Sequence, residues 1–229
     1  MFKRIAHTAG LAGLLAAVLL TLLQLLWVSP LILEAETYEQ DEPAVAHQHG
    51  DGAAHVHEAE AWSPEDGWQR TLSTSGSNLV VAVGFALMLA GLYALKAPLR
   101  AREGLAWGAA GFIVFNLAPA AGLPPELPGT AAADLLLRQY WWAGTAAATA
   151  VGLALLVFAR HWALRVGALL LIAVPHVIGA PQPEVHESLA PAHLERQFVF
   201  ASLVTNALFW LALGAASAWL FSRPAPEAR

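Results

Sequence analysis

Residues 5–28, IAHTAGLAGLLAAVLLTLLQLLWV, form the stretch whose reading decides the fold. It holds no Asp, Glu, Lys or Arg. As a helix rising 1.5 Å per residue it reaches about 36 Å, enough to cross a hydrocarbon core of about 30 Å. Lys3 and Arg4 precede it, and Ser29-Pro30 with Leu31-Ile32-Leu33 follow it. The run exceeds the roughly 7–15 apolar residues of a secretion signal and meets no small-residue cleavage site, so it reads as a retained span. Five similar segments lie further on, at about 77–95, 105–121, 141–159, 164–180 and 199–221. The expectation is an all-α polytopic membrane bundle of six transmembrane helices, a single membrane domain over 1–229.

Composition agrees with that reading. The 229 residues are 57% hydrophobic and 13% charged, with mean hydropathy +0.53, a balance that would cover a soluble domain with apolar surface. There is no cysteine, which removes disulfides and thiolate metal sites and leaves nitrogen and oxygen as the available ligands. No G-x-x-x-x-G-K-[ST] phosphate loop occurs, so any ATP use would need another chain.

Charge sets the expected orientation. With the N-terminus inside and six spans, the inner side holds nine of the twelve Lys and Arg residues, among them Lys96, Arg100, Arg102, Arg160 and Arg165. Retention of Lys and Arg on the cytoplasmic side places both termini there. Fifteen of the seventeen acids then fall outside, all but Glu103 and Glu227. Acids contribute little to insertion, so their segregation asks for another cause, and an outer face that concentrates cations supplies one.

Ten of those acids lie in residues 34–72, read as an extracytoplasmic acidic, His-rich loop with Arg70 as its one positive charge. At its centre His47-Gln48-His49 and His55-Val56-His57 repeat a His-x-His pair. In extended backbone alternate side chains point to the same side, so each pair can present two imidazoles together. Neutral imidazole binds Co²⁺, Ni²⁺, Cu²⁺ and Zn²⁺, and carboxylates add charge attraction. The sharp reading is a collector of divalent cations. The bland one is a solvated loop rich in Glu, Pro, Gly and Ala that happens to carry histidine.

The outer helix ends share proline signals. Segment 1 is expected to end at Val28-Ser29-Pro30, segment 3 at Ala118-Pro119, and segment 5 at Val174-Pro175-His176. Three helical hairpins with similar tips would produce this pattern, as would ordinary helix termination or a 3+3 inverted repeat. His176 is the titratable group within an apolar run, which makes it a functional candidate or an interfacial histidine bonded to a loose carbonyl. Gln24, Asn78, Asn116 and Asn206 are polar residues in or beside spans, suited to pinning helices together or to lining a path. Gly104-Leu-Ala-Trp-Gly108 has the spacing that lets two helices approach closely.

Three tracts carry a family likeness: the start through LLWVSPLILEAE, FNLAPAAGLPPELPG (115–129) and VPHVIGAPQPEVH (174–186), with VTNALFW near the end. Over nearly its whole length the chain resembles CbtA, a family of proposed cobalt transporter subunits. The resemblance implies a multi-pass protein of the bacterial inner membrane, linked to cobalamin synthesis. It also implies a small single-span, histidine-bearing partner subunit. Cobalt(II) would be the transported ion, and it is this resemblance that selects cobalt. The matching positions Glu34, Glu126, His176, Glu184 and His186 become metal-site candidates beside His47, His49, His55 and His57.

The expected function is therefore a membrane component of a cobalt uptake system that collects Co²⁺ outside and passes it through the bundle. No enzymatic activity and no bound organic cofactor are expected, and the partners are the metal ion, membrane lipid and the small subunit, with no nucleic acid. A metal sensor or assembly protein, or a nickel or zinc permease, is the alternative. A b-type cytochrome would need more intramembrane histidine than His7, His161 and His176 supply.

Overall fold

In the computed structural model, residues 1–40, 64–65, 67–96, 99–185 and 187–223 are described. Six helical rods run through them. These are α1 (residues 2–40), α2 (Trp68–Lys96), α3 (residues 104–120), α4 (Leu135–Phe158), α5 (Trp162–Ile178) and α6 (Ala192–Ser222). Each expected apolar segment lies within one rod or overlaps most of it. By length and composition four rods can cross a membrane: α1, α2, α4 and α6. Trp162–Ile178 is a shorter apolar helix, and α3 is of similar length.

One rod continues where its proline was expected to end it. The first segment does not stop at Pro30: a five-residue π segment, Gln24–Val28, is followed by the α-helix Ser29–Gln40. In α3 a π segment, Ile113–Leu117, likewise precedes a proline, but there the rod ends at Ala120, one residue past Pro119, as expected. Proline cannot donate to the carbonyl four residues back, and its ring presses on that turn. Widening the preceding turn lets the rod pass. Glu34, Glu36 and Glu39 consequently sit on α1, and Arg70 sits on α2. The acidic segment is thus shorter at both ends than the expected 34–72 loop.

Rods α1, α2, α3 and α6 form the core. Ala9, Ala12, Ala16 and Ala17 of α1 are buried, as are Ala82, Ala86 and Ala90 of α2, and a Cβ on Gly13 would lie 2.8 Å from the Val83 backbone. Small residues allow this approach, which matters in lipid because packing replaces the hydrophobic drive between helices. The α3–α6 crossing is tighter. A Cβ on Gly108 would come within 2.3 Å of the Trp210 carbonyl oxygen, and one on Gly214 within 2.3 Å of the Gly104 oxygen.

Aromatic rings fill the middle. Trp210 is 1% exposed, lies parallel to Phe115 at 5.5 Å and tilts against Phe85 at 4.5 Å. The intramembrane amides pin rods to one another: Asn78 donates to Gln24 Oε1 (2.7 Å) and Thr21 Oγ1 (3.0 Å), and Trp210 Nε1 donates to Asn116 Oδ1 (2.8 Å). Asn206 donates to the Ser202 carbonyl of its own helix.

Rods α4 and α5 make a hairpin that packs mainly on itself, with Gly152 against Ile172 and the Ala168 carbonyl. It meets the core chiefly through the π segment and last turn of α3. That junction lies at the end of the bundle opposite the chain termini. Toward the terminal end, α4 diverges from α2 and α3, and a slot of about 430 Å³ opens between them.

Candidate functional site

The bundle end opposite the termini is where the described candidates Glu34, Glu126, His176 and Glu184 fall, and its scaffold is made by two proline-rich loops. Ala131 N donates to the Glu187 carbonyl (2.9 Å) and Leu189 N to the Gly129 carbonyl (3.2 Å), forming an isolated antiparallel bridge, Thr130 to Ser188. Gly129 holds φ +75°, and a Cβ there would press on Leu189 and on Glu39 Cγ at 3.2 Å. Glycine is required twice over, by the backbone and by the close approach. Beneath lies a small apolar cluster of Val28, Ala35, Leu127, Ala190, Leu194, Phe198 and Ala201. It ties the extended end of α1 to both loops and to the start of α6.

Between the loops is a cleft of about 540 Å³ whose lining includes Pro124, Pro125, Glu126, Arg138, Pro183, Glu187 and Glu195. The tract at 115–129 and the one at 174–186 thus meet as its two walls. Arg138 Nη2 donates to Glu126 Oε2 at 2.7 Å, with both side chains a little over a quarter exposed. Asp134 caps α4 by accepting from Leu137 N (3.0 Å), which fixes the start of the helix that carries Arg138. Nearby, Arg70 grips Glu36 with two bonds of 2.5 and 3.0 Å, joining α1 to α2 on either side of the segment between them.

The candidate residues are distributed unevenly around this frame. Glu126 lines the cleft. Glu34 is exposed on α1, and its carbonyl accepts from the Thr37 hydroxyl (2.7 Å). Glu184 is exposed on the second loop. His176 is exposed in the last turn of α5, edge-on to Trp141 at 5.9 Å. Trp141 Nε1 meanwhile donates to the Pro175 carbonyl (3.1 Å), so the indole braces the proline and the imidazole together. His47, His49, His55, His57 and His186 lie outside the described residues. Among the described residues, no three His, Asp or Glu side chains stand close enough to hold a metal ion.

Glu187 and Glu195 join Glu126 in one cleft although 61 and 69 positions separate them from it in the chain. In the sequence they stand in the outer loop 181–195, which adds His186, Glu187, His193 and Glu195 to the external ligand supply. Arg138 is one of three basic residues, with Arg70 and Arg196, that the charge distribution leaves on that side. Three carboxylates and one guanidinium leave the cleft with an excess of negative charge, the sign that draws cations.

At the opposite end, Lys96 donates to Glu103. That hydrogen bond, opposed by desolvation and aided by the charges of Lys96 and Arg100, holds the Glu103 carboxyl below its ordinary value of 4.5.

An all-helical protein with several rods of membrane-spanning length, and with carboxylates gathered at one end, belongs to the class of integral membrane proteins. More narrowly, the chain belongs to the CbtA family, described as probable cobalt transporter subunit, whose family model matches residues 2–222. No curated protein and no solved structure matches it. Membership makes cobalt transport the activity of the assembly to which this chain contributes.

Proposed function

We propose that this chain is the membrane-embedded capture component of a cobalt uptake system in the bacterial inner membrane. In this reading all six rods cross the bilayer and both termini are cytoplasmic, in keeping with the distribution of Lys and Arg. The observation that carries it is the convergence of Glu34, Glu36, Glu39, Glu126, Glu187 and Glu195 at one bundle end. The His-x-His pairs are tethered to that same end, between α1 and α2.

Collection and transfer are separate tasks. His47, His49, His55 and His57 act as an imidazole collector with weak, exchangeable Co²⁺ binding, because an ion must leave as readily as it arrives. The acidic cleft raises the local cation concentration, and Glu126, Glu184, His186 and His176 mark the entry side of the bundle. Cobalt is the cargo; the chain carries out no covalent chemistry and needs no organic cofactor. The ring-filled centre around Trp210 favours a capture protein that works with another chain, such as a small single-span, histidine-bearing one.

The test is the initial rate of ⁵⁷Co²⁺ entry into cells or vesicles holding the complete system. Glu126→Gln removes a carboxylate and releases Arg138, so it lowers the rate; Arg138→Gln leaves the cleft more negative and raises it. An effect of about 2–10-fold each way is expected at low ionic strength, shrinking as salt is added. Equal rates for both variants and the wild type would remove the cleft from the pathway.

A further inference from the structure

The slot between α4 and the α2–α3 pair is left unexplained by cation capture. Its walls are almost wholly apolar, with Met88, Leu92, Ala110, Val114, Leu153 and Val157 among them, and among the described residues its only charged lining is Lys96 and Glu103 at the terminal end. Its shape follows from the fold, since the α4–α5 hairpin joins the core at the far end and leans away from it here. In a bilayer such a slot does not stay empty.

The occupant is constrained from two directions. A helix is about 10–12 Å across, so about 430 Å³ corresponds to roughly one turn of one, far short of a spanning segment. A single flexible hydrocarbon chain fits a narrow slot of that size. The rim then selects the headgroup. Arg100, Arg102 and Arg160 are exposed there, on loops that start where the lining residues Lys96 and Phe158 end. Arg100 lies close enough to Glu103 to act on its carboxyl, and Glu103 N donates to the Arg100 carbonyl (2.9 Å). Glu103 is already engaged by Lys96, so the three arginines give the mouth a net positive charge. Basic rims on pockets between membrane helices suit anionic headgroups.

We infer that this slot is a binding site for one anionic phospholipid, one acyl chain between α4 and α2–α3 and phosphate against Arg100, Arg102 and Arg160. The lipid wedges the hairpin against the core. A change in that wedge would alter how the Pro175–His176 end of the hairpin is held.

The protein is purified in detergent, stripped of lipid, and given dioleoyl phosphatidylglycerol or dioleoyl phosphatidylcholine at equal concentration. Retained lipid is counted by native mass spectrometry. One phosphatidylglycerol should remain on the wild type, held at least tenfold better than phosphatidylcholine. Arg100→Gln/Arg102→Gln/Arg160→Gln should abolish that preference without touching the slot. Ala154→Phe, which fills the slot, should lose the lipid while keeping the helical circular dichroism of the wild type. Should Ala154→Phe misfold, Ala110→Leu provides the same filling from α3. Equal retention of the two lipids, or undiminished binding in the filled variants, would overturn the inference. So would Ala154→Cys labelled with a photoreactive maleimide, in a chain that otherwise has no cysteine, if it cross-links to another polypeptide instead of to lipid.

Discussion

Placing one methyl group on Gly214 tests the architecture most directly. In Gly214→Ala the new Cβ would stand 2.3 Å from the Gly104 carbonyl oxygen and 2.6 Å from Gly108 N. These are backbone atoms, so no side chain can swing aside, and α3 and α6 must part by about 0.7 Å before the contact becomes tolerable. A gap of that size gives up about a quarter to a half of the dispersion attraction between the atoms facing it. Overpacking of this kind costs about 1–3 kcal/mol. Alanine in place of glycine also returns about 1 kcal/mol of helix propensity, so a second variant is needed to separate the two effects. Gly84→Ala on α2 gains the propensity and meets nothing within 4 Å. The assay is equilibrium unfolding in mixed micelles, followed by circular dichroism, with the two variants compared side by side. Gly84→Ala should match or exceed the wild type, and Gly214→Ala should fall below Gly84→Ala by about 1–3 kcal/mol. Adding Gly108→Ala should cost less than its single effect, because the rods have already separated. If Gly214→Ala and Gly84→Ala unfold together, the backbone contact of α3 and α6 is wrong.

Further outcomes concern the histidine segment, one interhelical amide and one ion pair. Replacing His47, His49, His55 and His57 together with alanine should remove most of the weak Co²⁺ binding measured by isothermal titration. In the unsubstituted protein the same binding should fade as pH falls through about 6.5, where imidazoles protonate. Asn78→Leu strips Gln24 and Thr21 of their shared donor and should cost about 0.6 kcal/mol of unfolding free energy, the average for hydrogen bonds between membrane helices, and no more than about 1.7 kcal/mol. The Lys96–Glu103 pair should contribute fully above the ordinary carboxyl value of 4.5 and lose its contribution as pH falls through the lowered folded-state value. In Lys96→Gln the Glu103 titration, followed by carboxyl NMR, should move up toward 4.5; no movement would show that the pair is not formed.

Hydropathy determined the membrane class and the six apolar segments, because exclusion from water depends on composition over about 20 residues and not on partners. The close approach at Gly104 and Gly108 was legible for a related reason: a spacing of four residues puts both glycines on one helix face. Charge placed the acids together on one side, and the tracts ending at Glu36, Gly129 and His186 carried the family. Tertiary structure decided the rest. Pro30 and Pro119 both read as stops; Pro119 does lie one residue before the end of its rod, whereas a π turn before Pro30 carries α1 onward to Gln40. The amides at Gln24, Asn78 and Asn116 proved to be pins between rods, which composition could not distinguish from path residues. Glu126, Glu187, Glu195 and Arg138 became neighbours only when two distant loops paired. The lateral slot has no signature in any window of sequence, since it arises from the angle at which one hairpin leans on the core.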